Sequence, residues 1–217
     1  MNAPFVFGVD LDGVVADYTL GFRDVVAELR GVERETLPLE RSWDFDEWDF
    51  GPGDFDEFHR IAVNERRILA NLPMVDGSAD ALWRLSDAGI WIRIITHRLY
   101  TNWGHATAIS DTVTWLDTHQ IPYRDICFLG AKPEVEADCY IDDAPHNVEA
   151  LRAAGNTVIV FDQPYNRHLP APRATDWFEV EHIVHELAAD AGKHVQPQIP
   201  GIDAGADRLK RRQNRLA

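Results

Sequence analysis

Five short runs of near-continuous apolar residues punctuate the chain, at 5–9, 90–95, 126–129, 139–141 and 157–161. Each is too short for a helix, and each ends at a glycine, a threonine or an acidic or polar turn, so each is predicted to be a buried strand. The stretches between them carry a different period. Tyr18, Phe22, Val25, Val26 and Leu29 recur at helical spacing, with Gly31 as a stop. Ala106, Ile109, Val113 and Leu116 share one helical face, and 77–88 and 146–154 also read as helices. Strands with no polar alternation, separated by helices, predict an α/β fold: a Rossmann-like parallel sheet with helices on both faces.

One region breaks this alternation. From 37 to 53 the chain crowds Trp43, Phe45, Trp48 and Phe50 among acidic residues with no clean period, and a further helical segment is predicted around 55–69. Residues 17–74 are therefore expected to form a small, mostly helical cap with its own aromatic cluster, inserted after the first strand. The core would comprise 1–16 and 75–190, and 191–217, rich in Gly, Pro and charge, a flexible tail.

Composition narrows the partners. The 217 residues carry a formal charge of −15, which argues against a nucleic acid polymer, since backbone phosphates are held by clustered Lys and Arg. Bases cluster only within 208–215, where a solvated end is the plainer expectation. No apolar stretch approaches the ~20 residues that span a bilayer, and the N-terminus lacks the pattern of a signal peptide. Cys127 and Cys139 show no C-x-x-C spacing and are expected to be buried, reduced thiols. The expectation is a soluble cytoplasmic protein with no membrane partner. Oligomeric state is not readable.

In parallel sheets, sites lie beyond the carboxyl ends of the strands. Those ends deliver Asp10 and Asp12, Thr96 to Arg98, and Asp142-Asp143, with Lys132 close behind the 126–129 run. Gly13 permits a turn that lets Asp10 and Asp12 face one point. A lone D-x-D is most simply an acidic loop. Two acidic pairs at separate strand ends, with Thr96 and Lys132, point instead to an oxygen-rich site suited to Mg²⁺ rather than zinc. Two unit charges ~4 Å apart at an effective dielectric near 20 repel by about 4 kcal/mol, so the cluster needs Mg²⁺ and Lys132.

Asp10-Leu11-Asp12-Gly13-Val14, Thr96, Lys132 and Ile141-Asp142-Asp143 resemble, in order, the four motifs of the haloacid dehalogenase superfamily. More finely, the first motif extended to Tyr18, and the spacing from Lys132 to Asp143, are similar to the 5'(3')-deoxyribonucleotidases. At the second motif that family has Thr-Ser, where this chain has Thr96-His97-Arg98. The resemblance implies a Mg²⁺-dependent phosphomonoesterase acting on a small phosphorylated substrate, a (deoxy)nucleoside monophosphate. It implies Asp10 as nucleophile, Asp12 as general acid and base, Thr96 and Lys132 as phosphoryl stabilisers, and a metal held by Asp10, the Asp12 carbonyl and Asp143, with Asp142 in support.

Other residues carry weaker signals. Tyr18 sits beside the nucleophile loop and is expected to meet a base; Trp43, Phe45 and Trp48 could join it or form ordinary cap core. Arg98 could grip phosphate or a substrate carboxylate, or form a surface ion pair, and His97 is a further substrate contact. The run Gln163-Pro164-Tyr165-Asn166-Arg167 could line the site or simply turn. His182 and His185 lack a third ligand and are expected to be solvated. The competing functions are a phosphatase for another metabolite, such as a sugar phosphate, and a non-catalytic binding module that keeps the fold.

Overall fold

A computed structural model describes residues 3–99 and 104–193; the basic run 208–215 lies outside them. Six parallel strands form one sheet: β1 (Val6–Val9), β2 (Trp91–Thr96), β3 (Asp125–Phe128), β4 (Cys139–Asp142), β5 (Val158–Phe161) and β6 (Arg173–Ala174), in the order β3-β2-β1-β4-β5-β6. The helices are α1 (Tyr18–Arg30), α2 (Asp54–Asn64), α3 (Ser78–Asp87), α4 (His105–Thr118), α5 (Pro145–Ala153) and α6 (Trp177–Asp190). The five expected strands are present within a residue or two. The sixth was not expected: a two-residue strand carries no period to read.

Both faces of the sheet are covered. Phe7, Val9, Ile92, Ile94, Ile141 and Ile159 share one apolar cluster with residues of α3, α4 and α6. Their strand neighbours Ile95, Tyr140, Val158 and Val160 belong to a second cluster with Val148 and Leu151 of α5. Successive strand residues point to opposite faces, so apolar side chains at consecutive positions need two cores, which is why these runs are continuous rather than alternating.

The stretch between β1 and α3 begins and ends in two segments that hydrogen-bond to each other. Asp17 N donates to the Pro73 carbonyl and Val75 N to that of Val15, both at 2.8 Å. The Asp17 side chain then caps α1 by accepting from Leu20 N at 2.9 Å, and Gly31, with φ +66°, ends it. Between α1 and α2 the aperiodic stretch forms only short 3-10 turns. Phe22 is its centre: its ring lies within 6.4 Å of those of Tyr18, Phe45, Trp48, Phe50, Phe55 and His59. The aromatic cluster expected here exists, but it is continuous with the larger core of the sheet rather than separate. Arg67 reinforces the seam by gripping buried Asp111 of α4 with two hydrogen bonds. No helix among the described residues is long and apolar enough to cross a membrane.

Phe22 is fully buried, so Phe22→Ala should lower stability by about 3–5 kcal/mol. Urea denaturation followed by circular dichroism measures this. A loss under ~1 kcal/mol would mean that the cluster collapses around the cavity.

Candidate active site

The strand order reverses between β1 and β4, which are adjacent and parallel. That switch point is where an open parallel sheet leaves a crevice. Asp10 follows β1 directly, Asp142 ends β4 and Asp143 follows it. Leu11 is fully buried, and its carbonyl accepts from Val15 N at 2.9 Å and Ala16 N at 2.8 Å. Anchoring the apolar residue inside the core leaves the acidic residues on either side of it at the sheet edge. Gly13 is required in this loop: its φ is +81°, and a Cβ there would collide with Asp143 Oδ2.

Asp10, Asp142 and Asp143 converge, each offering a carboxylate oxygen within 4.8 Å of the others. Lys132, buried on a short turn after β3, lies 2.8 Å from Asp10 Oδ1 and 2.6 Å from Asp142 Oδ2. The three aspartates are not equivalent. Asp142 has both oxygens committed, because its Oδ1 accepts from Ala144 N at 3.0 Å and Asn147 Nδ2 at 3.3 Å. Asp10 and Asp143 each use one oxygen, the latter accepting from the Tyr165 hydroxyl at Oδ2. Asp10 Oδ2 and Asp143 Oδ1 have no hydrogen bond among the described residues.

Electrostatics follow from this crowding. Burial, only partly offset by Lys132, pushes the Asp10 carboxyl up to about 7, with Asp142 and Asp12 adding repulsion. Burial, then repulsion from Asp10 and Asp142, holds Asp143 well above the usual carboxylate range. Burial opposes the Lys132 charge, but Asp10 and Asp142 more than compensate and keep it protonated.

Asp12 points elsewhere. Its carboxylate accepts from Arg98 Nε at 3.0 Å and Nη2 at 2.7 Å, outside the convergent trio. Arg98 was expected as a grip on phosphate or a substrate carboxylate, or as a surface ion pair; it is instead buried, with Nη1 donating to Thr112 Oγ1 at 3.2 Å. Thr96 is buried beside it and accepts from Arg98 N at 3.3 Å, which leaves the threonine proton free to donate elsewhere. His97 is half-buried, and its Nε2 is sealed without a partner. Burial and then nearby Lys132 lower its pKa to about 4, so it is neutral.

Tyr18 is half-buried, with its hydroxyl 2.7 Å from His59 Nδ1 and its ring stacked on Phe22. Burial and the negative Asp12 push its phenol well up. Of the other aromatic candidates, Phe45 and Trp48 are core, whereas Trp43 is exposed and sets its ring edge against Tyr165 and His146. His182 is exposed as expected, but His185 and Cys127 are half-buried.

The run expected either to line the site or to turn does both, and Arg41 is a contributor that the sequence reading missed. The Gln163–Asn166 turn is a clamp as well as a turn: Asn166 Nδ2 donates to the Asp143 carbonyl and Gln163 Nε2 to that of Gly13, both at 2.8 Å. Arg41 is buried between the Phe45 and Tyr165 rings, 3.7 and 4.5 Å from their centroids. It donates to Thr19 Oγ1 at 3.0 Å and to the Ser42 carbonyl at 2.9 Å, with no carboxylate partner among the described residues. Its signal was present, as the single basic residue between Leu37 and Gly53.

The fold is that of haloacid dehalogenase-like α/β proteins. The fold is similar to a HAD family hydrolase from Deinococcus radiodurans solved with bound phosphate and sodium, at a TM-score of 0.58 and 15% identity over 91% of this chain and 100% of that one. It is also similar to a haloacid dehalogenase-like hydrolase from Xanthomonas campestris, at a TM-score of 0.54 and 17% identity over 88% and 94% of the two chains. Residues 4–191 match the family described as "5' nucleotidase, deoxy (Pyrimidine), cytosolic type C protein", and the chain belongs to that family. It is 43% identical to the "Putative 5'(3')-deoxyribonucleotidase" of Chlorobaculum tepidum over 82% of this chain and 89% of the relative. The 5'(3')-deoxyribonucleotidase of Bacillus subtilis is 25% identical over 81% of this chain and 96% of its own length. The protein is therefore a HAD-type phosphoric monoester hydrolase.

A carboxylate whose folded pKa is raised binds its proton more tightly in the native than in the unfolded state. Stability is then lost as pH climbs from the unfolded value through the folded one. For Asp10 that window runs from 3.8 to about 7. With chelator present, Asp10→Asn, which resembles the protonated form, should be more stable than wild type at pH 8 by on the order of a few kcal/mol. The gain should vanish near pH 4. Equal melting temperatures for the two proteins at pH 8 would contradict this.

Proposed function

We propose that the protein is a Mg²⁺-dependent 5'-nucleotidase that hydrolyses (deoxy)nucleoside monophosphates through an aspartyl-phosphate on Asp10. The observation that carries this reading is the inequality of the buried aspartates: Asp10 and Asp143 each keep an oxygen free, while Asp142 is wholly engaged. The all-oxygen donor set fits Mg²⁺. Asp10, Asp143 and the Asp12 carbonyl would hold the ion, and Asp142 would stand behind them anchoring Lys132. Bound there, Mg²⁺ supplies charge neutralisation for the incoming phosphate dianion.

Asp10 attacks phosphorus through an oxygen, and the ester oxygen departs with a proton from Asp12. Water then attacks the aspartyl-phosphate, Asp12 takes its proton, and Asp10 and inorganic phosphate are released. Lys132 fixes the nucleophile and neutralises charge on the phosphoryl group. Thr96, whose hydroxyl already accepts from Arg98 N, donates to a phosphoryl oxygen. Arg98 grips both Asp12 oxygens and so aims the acid and base. His97, half-buried next to Thr96, is a further substrate contact at the same strand end. Residues 17–74 act as the cap, and Tyr18, within the field of Asp12, packs against the base.

The test is phosphate release across nucleoside monophosphates, sugar phosphates and p-nitrophenyl phosphate. Nucleoside monophosphates should be turned over with Mg²⁺ and not with chelator. Asp10→Asn should abolish turnover, and Lys132→Ala should cut kcat by roughly 10²-fold or more. Full turnover in Asp10→Asn would remove the covalent mechanism. Preference for a sugar phosphate would leave the phosphatase and withdraw the nucleotide.

A base stacked on an aromatic ring is worth about 1–3 kcal/mol. Tyr18→Ala should therefore weaken kcat/KM for a nucleoside monophosphate by roughly 5- to 150-fold and leave acetyl phosphate, which has no ring, nearly unaffected. Equal loss on both substrates would make Tyr18 a support of the nucleophile loop.

A further inference from the structure

The Tyr165 hydroxyl donates to Asp143 Oδ2, and nothing among the described residues engages Oδ1. The tyrosine is buried and held from several sides. The Arg41 guanidinium lies over its ring, 4.5 Å from the centroid, and Trp43 sets an edge against it at 5.3 Å. The turn that carries it closes on itself: Gln163 N donates to Asn166 Oδ1 at 3.1 Å, and Asn166 Nδ2 reaches the Asp143 and Phe161 carbonyls, both at 2.8 Å. Arg173 Nη1 braces Asn166 Oδ1 at 2.8 Å. On the other side, a side chain at Gly13 would overlap Asp143 Oδ2 and come within 3.1 Å of the Tyr165 oxygen. The braced turn thus presents the Tyr165 hydroxyl to Asp143, and the absence of a side chain at Gly13 leaves the room that Asp143 Oδ2 occupies beside it.

We propose that Tyr165 is a positioning residue that makes Asp143 a one-oxygen ligand and so sets the preference of this site for Mg²⁺ over Ca²⁺. The inference rests on the reading of Asp10 and Asp143 as the metal ligands. Mg²⁺ demands near-octahedral geometry with short bonds and accepts single carboxylate oxygens. Ca²⁺ takes six to eight oxygens and gains from two-oxygen carboxylates. An Asp143 with Oδ2 occupied by a hydroxyl proton offers one oxygen to a cation. Losing that donor would weaken the orientation that Mg²⁺ needs and release a second oxygen that Ca²⁺ can use. Arg41 and Trp43 touch the ring of Tyr165, not its hydroxyl, so Tyr165→Phe removes the donor and keeps those contacts.

Direct binding of Mg²⁺ and of Ca²⁺ to the metal-stripped protein, by isothermal titration calorimetry, tests this without reference to turnover. Tyr165→Phe should bind Mg²⁺ about tenfold more weakly, the lower end of what a hydrogen bond to a charged group contributes. Its ratio of Ca²⁺ to Mg²⁺ dissociation constants should fall by at least as much. Tyr165→His, which keeps a ring donor, should recover part of the ratio, separating the lost donor from altered packing. If Tyr165→Phe is folded by circular dichroism and keeps the wild-type ratio, the proposal is overturned while the metal site stands. If both Phe and His variants shift equally, packing rather than the donor sets the preference and the proposal fails. A wild-type protein that binds neither ion overturns the metal reading and this inference together.

Discussion

Mutual repulsion among four carboxylates at neighbouring strand ends is the constraint on which the rest of this structure depends. Asp10 and Asp12 follow β1, and Asp142 ends β4 with Asp143 after it, because the sheet order sets these strands side by side. Lys132 makes the arrangement tolerable by lying within 2.8 Å of Asp10 and 2.6 Å of Asp142. It also divides the labour. Spending Asp142 on the lysine and on the start of α5 leaves Asp10 and Asp143 with oxygens to offer. Removing Lys132 would leave Asp10 and Asp142 both uncompensated, a loss of about 3–5 kcal/mol. The lysine is thus structural and chemical at once.

The same constraint explains why the raised carboxyls are a property of the site and not a defect of the fold. A buried carboxylate beside like charges prefers to be neutral, and a divalent cation reverses that preference. The protein holds its destabilising charge where a cation would relieve it. The contacts around residues 17–74 keep the geometry from relaxing instead. The paired crossings at Val15 and Val75, the Arg67–Asp111 grip, and the apolar core shared with the sheet fix Tyr18 relative to Asp12.

Much of this was legible in the residues because periodicity and position carried it. Strands buried on both faces announce themselves as unbroken apolar runs, and the D-x-D followed by Gly13 announces a turn at a strand end. What stayed hidden lacked such a signal. The Arg173–Ala174 strand is defined by its neighbour, not by its own sequence. Tyr165 and Asn166 read equally as a site lining or as a turn, because a turn uses the same residue types, and only the tertiary fold reveals that their polar groups reach Asp143. Arg98 illustrates a different limit. Its position beside Thr96 was apparent, but whether it faces phosphate, solvent or Asp12 depends on α4, whose Thr112 helps to hold it.

A protein of formal charge −15 that receives a dianion must concentrate positive charge locally. Only three basic side chains are buried among the described residues: Arg41, Arg98 and Lys132. All three stand around the carboxylates. Burying a cation is costly unless it is paired or hydrogen-bonded, and two of the three are paired, with Asp12 and with Asp10 and Asp142. Arg41 is stabilised differently, by Thr19, backbone carbonyls and two aromatic faces, and its charge is not cancelled by a carboxylate contact. Its field reaches Tyr165, Asp143 and Tyr18. Ionised, the four carboxylates outnumber the cations paired with them, and a divalent ion would only bring that group to balance. Of the three buried cations only Arg41, carried between α1 and α2, has no carboxylate contact among the described residues, so its positive charge stands beside the four carboxylates only while that stretch packs against the sheet.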